Sequence, residues 1–211
     1  MIRLSCETAR QDRTMKDTIL ETDRLLLREL RDSDFAALRR MLQDPAVMYA
    51  YEGPLSDREA TEWFERQKMR YAQDGFGLWA AIRKSDDTFV GQCGITMQPY
   101  RERRVPEIGY LLCRNCWHAG YATEAAAACK RLAFGPLGME RIYSFVRDSN
   151  VASQRVALRN GMRRTDTVVK RFRGVDMPHF VFCAERAGRE RQPEAVRLPS
   201  PHPPGAVPPD K

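Results

Sequence analysis

The chain has 211 residues, 43% of them apolar and 30% charged, with a formal net charge of +7. That length supports one well-buried domain with tails and is short for two, and the composition is that of an ordinary globular protein. No apolar run approaches the roughly eighteen residues of a membrane span, and the first twenty residues contain no continuous apolar block, so neither an anchor nor a secretory signal is expected and the location is read as cytoplasmic.

In chain order, residues 1–17 are polar and of mixed charge and read as a flexible extension, with Met15 as a second candidate start. "RLLLREL" (Arg24–Leu30) reads as a first strand. "DSDFAALRRMLQD" follows as a helix, with Asp32 or Ser33 as N-cap and Phe35, Leu38 and Leu42 at helical spacing, ended by Pro45. "LSDREATEWFERQKMRYAQDG" opens on Ser56 with Glu59 three residues later, a capping box, and runs as an amphipathic helix to Gly75. "FGLWAAIRK" and "TFVGQCGITMQ" are strands joined by a turn at "SDD", and "PEIGYLLC" is a further strand. "GYATEAAAACKRLAFGPLG" is a helix closed at Gly135-Pro136, "RIYSFVRD" a strand, and "NVASQRVALRNG" a helix ending at Gly161. "MRRTDTVVKRF" and "HFVFCAER" form a final hairpin-like pair. Beyond them, seven of the thirteen prolines fall in residues 193–209, which makes residues 187–211 a disordered tail. The domain is therefore residues 18–186. Strand–helix–strand crossovers late in this order place a parallel stretch inside an otherwise antiparallel sheet, which is a mixed α/β domain.

The six cysteines read as reduced thiols, since disulfide frameworks belong to short secreted chains and Cys93, Cys129 and Cys183 sit in apolar strand-like or helix-like stretches. Basic clusters at Arg101–Arg104, Arg163–Arg164 and Lys170–Arg173 suit a solvated face or an anionic ligand such as a nucleotide cofactor. Nucleic acid is not expected, because no stripe interleaves basic and aromatic residues.

The stretch "CRNCWHAGYATEA" (Cys113–Ala125) can be read in two ways. Cys113-x-x-Cys116 followed by His118 offers thiols and an imidazole. A zinc site needs a second ligand pair at motif spacing, and covalent haem needs histidine directly after the second cysteine, where Trp117 stands. No metal is expected. Alternatively, a strand ending near Cys113 is followed by a short loop and a helix starting near Gly120. The first turn of a helix presents unpaired N–H groups, and the small residues Ala119, Gly120 and Ala122 would let an anion approach them. The same residues also suit plain helix packing.

Set beside "ETDRLLLREL", "DGFGLWA", "VGQCGI", "EIGYLL", "WHAGYATEA" and "DSNVASQRVALRNGM", this loop resembles the GNAT superfamily of acyl-CoA-dependent N-acetyltransferases. The likeness is greatest to the branch of ribosomal-protein alanine N-acetyltransferases, and it runs from about Glu21 to Arg186. The loop keeps Trp117, Gly120, Tyr121, Ala122, Thr123, Glu124 and Ala125, and departs at His118 and Ala119, where that branch usually has glycine and lysine.

The resemblance implies a GNAT-like fold: a mostly antiparallel central sheet with one splayed parallel pair, here "EIGYLL" and "RIYSFV", flanked by helices. It implies acetyl-CoA as co-substrate, with pantetheine against Leu111 and Leu112 and pyrophosphate on the amides of His118, Ala119, Gly120, Tyr121, Ala122 and Thr123. Asn150 and Ser153 follow the second fork strand. Asn150 is an N-cap by position, and the resemblance adds a pantetheine contact; Ser153 would protonate the departing thiolate or simply bond backbone at the helix start.

An amine must lose a proton to attack a thioester. Glu107, opening the first fork strand, is the candidate base, the bland alternative being a strand-edge charge paired with one of Arg101–Arg104. Tyr110 and Tyr143 are substitutes, Glu124 is assigned to the helix N-terminus, and His179 reads either as a border of the acceptor pocket or as a turn residue of no function. Tyr49, Tyr51 and Glu52 are candidate acceptor contacts. The implied activity is acetyl transfer to a primary amine of a small molecule or a peptide, with no membrane partner and with a homodimer left open. The alternative is a non-catalytic acyl-CoA-binding or sensing protein on the same fold.

Overall fold

The computed structural model describes residues 17–186. The expected tail, and the expected extension apart from Asp17, lie outside the described residues.

Eight strands form one sheet in the order β1-β2-β3-β4-β5-β6-β8-β7. They are β1 (Thr18–Glu21), β2 (Leu25–Arg28), β3 (Leu78–Arg83), β4 (Thr88–Tyr100), β5 (Arg103–Leu112), β6 (Arg141–Arg147), β7 (Arg163–Phe172) and β8 (Val175–Glu185). Four helices flank it: α1 (Phe35–Leu42), α2 (Asp57–Asp74), α3 (Tyr121–Phe134) and α4 (Val151–Arg159). Neighbouring strands are antiparallel except β5 and β6, which run parallel. The mixed sheet with one parallel pair is as expected. The second late crossover differs: β7 does not lie beside β6, because β8 intervenes and pairs with both.

The β4–β5 hairpin is longer than the sequence suggested. Its pattern was cut at Pro99 and Pro106, yet both prolines sit inside the ladder, opposite Arg104 and Met97. At that end β4 has outrun β3 and β5 has outrun β6. The hairpin is there a two-stranded ribbon with edge-like strands, where a missing N–H is tolerated.

The expected box at α2 is present: Glu59 N–H donates to Ser56 Oγ at 3.3 Å and Ser56 N–H to Glu59 Oε2 at 2.7 Å. The cap expected from Asp32 or Ser33 is not. A 3-10 turn occupies Asp32–Asp34, and Asp34 turns back to accept from Arg31 N–H at 2.8 Å and from both terminal nitrogens of Arg28. That Arg28–Asp34 pair is buried and joins the end of β2 to the start of α1.

Two apolar layers enclose the sheet. Leu38, Leu42, Met48 and Phe64 bring α1 and α2 against Ala80 and Ile82 of β3. Leu25, Leu27, Trp79, Ile95, Cys129 and Ile142 form the opposite layer under α3 and α4. Each fully buried leucine contributes about 1.5–3 kcal/mol. The described cysteines carry free thiols, and Cys93 and Cys129 meet at 3.7 Å within the second layer.

Candidate active site

The parallel pair is joined only at its root. Glu107 is in register with Tyr143, and the buried Ser144 hydroxyl donates to the Ile108 carbonyl at 2.8 Å. Beyond this, β6 continues along β8 while β5 continues along β4 from Gly109 to Leu112. The strands part, and Tyr110 crosses the gap: its hydroxyl lies 2.8 Å from Ser153 Oγ and donates to the Ser153 carbonyl at 3.0 Å. Burial pushes the Tyr110 hydroxyl above its ordinary value. Ser153 is in turn fixed by Asn150, whose Oδ1 accepts from Ser153 N–H at 3.0 Å as the N-cap of α4.

A cavity of about 520 Å³ opens at this fork. It brings together Glu107, Tyr110, Leu111, Asn150, Ser153, Tyr51 and His179. Glu107 accepts from Phe145 N–H at 3.1 Å. Burial raises its carboxyl above the ordinary value, opposed by Lys170, by the Phe145 N–H and by Arg70. It makes none of the arginine pairings considered from sequence: Arg101 binds Asp166, Arg104 binds Asp74, and Arg103 donates to the Tyr143 hydroxyl. Tyr51 stands edge-on to Trp63 at 5.8 Å, its hydroxyl pushed by burial to about 12. His179 Nδ1 is 2.8 Å from the Met177 carbonyl, and burial lowers its pKa, which favours the neutral ring.

Other sequence candidates lie elsewhere. Tyr143 packs with Tyr100, Phe145 and Val181 behind the fork. Tyr49 is exposed, and Glu52 is ion-paired with Arg147. Leu112 and residues 118–123 lie outside the cavity. The Leu112 carbonyl already accepts from Trp117 Nε1 at 2.9 Å, which explains a tryptophan here: it ties the loop to the end of β5.

In the loop itself, Trp117 N–H returns to Arg114 and Glu124 N–H to Gly120. Among the described residues, no hydrogen bond within the chain takes up the N–H of His118, Ala119 or Gly120, and the first amides of α3 lack helical partners by geometry. Gly120 (φ +82°) and His118 (φ +60°) are both left-handed. A glycine is therefore natural at 118, and histidine is held there against the usual preference.

Glu124, assigned from sequence to the helix start, stands in the first turn of α3 but gives its carboxylate to the turn between β1 and β2. It accepts from Thr22 Oγ1 at 2.6 Å, Arg24 N–H at 2.9 Å and Arg24 Nε at 2.7 Å. Burial works to raise its carboxyl, and these bonds outweigh it and hold the carboxyl low. Cys113 and Cys116 close the strand and its loop, the first with its thiol pushed by burial to about 11. Among the described residues no three His, Cys, Asp or Glu side chains converge as metal ligands.

Sequence reading missed most of the opposite wall of the cavity, Gln92, Thr96 and Gln98 of β4 and Arg66 and Arg70 of α2; of the basic cluster it noted at the end of β7, Lys170 lines this cavity. A signal existed in β4, where Gln92, Gly94, Thr96 and Gln98 alternate with the apolar Cys93, Ile95 and Met97. Polar residues at period two in a central strand mark a face turned toward a cavity rather than a core.

A family model described as an acetyltransferase (GNAT) domain matches residues 24–163. The Bacillus subtilis protein YkkB is 38% identical over 154 residues, covering 72% of this chain and 90% of YkkB. YoaA, an N-acetyltransferase of the same organism, is 30% identical over 148 residues, covering 69% of this chain and 83% of YoaA. The crystal structure of an acetyltransferase from Agrobacterium tumefaciens superposes with a TM-score of 0.67 at 29% identity, covering 79% of this chain and 93% of that one. With the fork, the amide-lined helix start and these relatives together, the chain belongs to the GNAT family of acetyltransferases.

Proposed function

We propose that the chain moves the acetyl group of acetyl-CoA to a primary amine by direct attack of the amine on the thioester, in the manner of the ribosomal-protein alanine N-acetyltransferases its motifs resemble. The observation that carries this reading is the Glu107 carboxyl: it stands at the root of the fork, inside the cavity, with burial raising its pKa toward the range useful for a base. The amine nitrogen bonds to the acetyl carbon and gives its proton to Glu107, the carbon–sulfur bond breaks, and the thiolate takes a proton from Ser153. Tyr110, in contact with Ser153 Oγ, relays a proton to it, and the cycle closes when Glu107 gives the amine's proton to solvent and the Ser153–Tyr110 pair takes one back.

Pantetheine lies against β5 at Leu111, with Asn150 and Ser153 on its other side. Because the Leu112 carbonyl is taken by Trp117, Leu112 contributes only its remaining surface. The pyrophosphate rests on the amides of His118–Thr123, where a Cβ on Gly120 would meet only an Arg24 nitrogen, at 3.4 Å. The acceptor is a small-molecule or peptide amine entering from the α2 side, and the setting is cytoplasmic.

The test is thiol release from acetyl-CoA across a panel of amines, with CoA affinity measured alongside. Amine-dependent release is expected. Absence of CoA binding would overturn the reading, and tight CoA binding with no amine-dependent release would favour the sensing alternative.

A further inference from the structure

We infer that the acceptor amine carries an acidic group, a carboxylate or a phosphate, bound by the wall formed by α2, β4 and β7; the inference rests on the acceptor reading above. Gln92 is fully buried, and Trp63 Nε1 donates to its Oε1 at 3.3 Å. An indole N–H only donates, so this bond fixes the amide's orientation and leaves Nε2 as the donor end. That Nε2 is buried and has no partner, although Gln92 lines the cavity. Arg147 also lines it; its terminal nitrogens serve Glu52 and the Tyr49 carbonyl, but its Nε is buried and unpaired too. Both orphaned groups are donors, and a buried donor without an acceptor is costly.

The charges agree. Of the carboxylates lining the cavity, Glu59 is taken by Arg173 and Glu62 by Arg58, which leaves Glu107. Arg66, Arg70 and Lys170 line the same cavity and, among the described residues, none is ion-paired. Arg66 stacks on Trp63, Lys170 on Phe145, and Arg70 donates to Gln67 Oε1 at 3.2 Å. Positive charge therefore exceeds negative on the wall an acceptor must meet. A polycationic amine would be repelled there, whereas an amine bearing an anion would offer Glu107 its amine and the donors its acidic group.

The test compares matched probes on the full chain with CoA present: free amino acids against their amides, O-phosphoethanolamine against ethanolamine, and spermidine as a polycation. Binding is read by titration calorimetry and turnover by thiol release from acetyl-CoA. The anionic member of at least one pair should bind tenfold or more tightly than its neutral partner, with spermidine weakest; which pair discriminates tells carboxylate from phosphate. Arg70→Gln combined with Lys170→Gln should shrink that ratio below threefold, and Arg70→Lys should keep it. Since the ratio is taken within each variant, partial misfolding does not imitate the result. Equal or tighter binding of the neutral members or spermidine, an unchanged ratio in the double variant, or no binding by any anionic probe would overturn the inference. Anion-selective binding without turnover would instead refute the proposed chemistry and leave the binding preference standing.

Discussion

Replacing Glu107 by glutamine separates the base from the fold. Glutamine keeps the size of the side chain and an oxygen to accept from Phe145 N–H, so the root of the fork should hold. It cannot take a proton from an amine. Removing a general base costs about 10²–10⁴ in rate, or about 3–5 kcal/mol in the barrier. In the wild type, kcat/KM should rise with pH as Glu107 loses its proton, on a limb displaced above the ordinary glutamate range because burial raises it. Lys170 is the strongest influence opposing that rise, so Lys170→Gln should move the limb to higher pH. The sign for stability is opposite to that for activity. A carboxyl whose folded pKa is raised binds its proton more tightly in the folded state, so its contribution is fully present below the unfolded value and is lost as pH rises through the folded one. Above its folded pKa the ionised Glu107 therefore destabilises the fold, and there Glu107→Gln should raise the unfolding midpoint while it lowers turnover by the factor above. Steady-state kinetics from pH 5 to 9 with parallel thermal unfolding would measure both. A variant within threefold of wild-type kcat/KM, or one that loses both activity and stability, would refute the assignment.

Three further substitutions probe the frame around the site. A Cβ at Gly94 would lie 1.9 Å from the Gly77 carbonyl oxygen, a backbone atom that cannot swing away; Gly94→Ala should cost about 3 kcal/mol, the upper end for overpacking, read as a lower urea midpoint. Asp34→Asn leaves the buried Arg28 guanidinium uncompensated and should cost about 3–5 kcal/mol in the same assay. His118→Gly relieves a left-handed backbone strained by about 1–2 kcal/mol but frees the unfolded chain, so thermal unfolding should show a gain between zero and about 1 kcal/mol.

What sequence could reveal was local. Ser56 with Glu59 and Asn150 with Ser153 are caps whose partners lie three residues away, and each is found as read. The small residues before α3 likewise needed only their own helix. Features set by strand neighbours were not legible. Pro99 and Pro106 read as breaks because nothing local says that the hairpin outruns its sheet. The Asp34 cap depends on Arg28, one element away. Glu107 was selected through family likeness, but its burial, and the cations gathered around it from α2 and β7, follow from where β5 and β6 separate. The alternation of Gln92, Thr96 and Gln98 was visible and was passed over as an ordinary strand.

The placement of β8 has a consequence for how the site comes into being. One arm of the fork is β6, and β6 is backed along Arg141–Arg147 by the last described strand, from His179 to Glu185. A chain emerging from the ribosome in order can complete the β4–β5 hairpin and α3 early, since those contacts are near in sequence. The second arm has no outer neighbour until some forty residues after it have been made, as its partners at Arg141 and Glu185 are far apart in the chain. The half that holds the loop before α3 therefore forms first, and the cavity closes with nearly the whole domain synthesised. Incomplete chains would carry the start of α3 and most of the acceptor wall, but neither Lys170 of β7 nor a supported second arm of the fork.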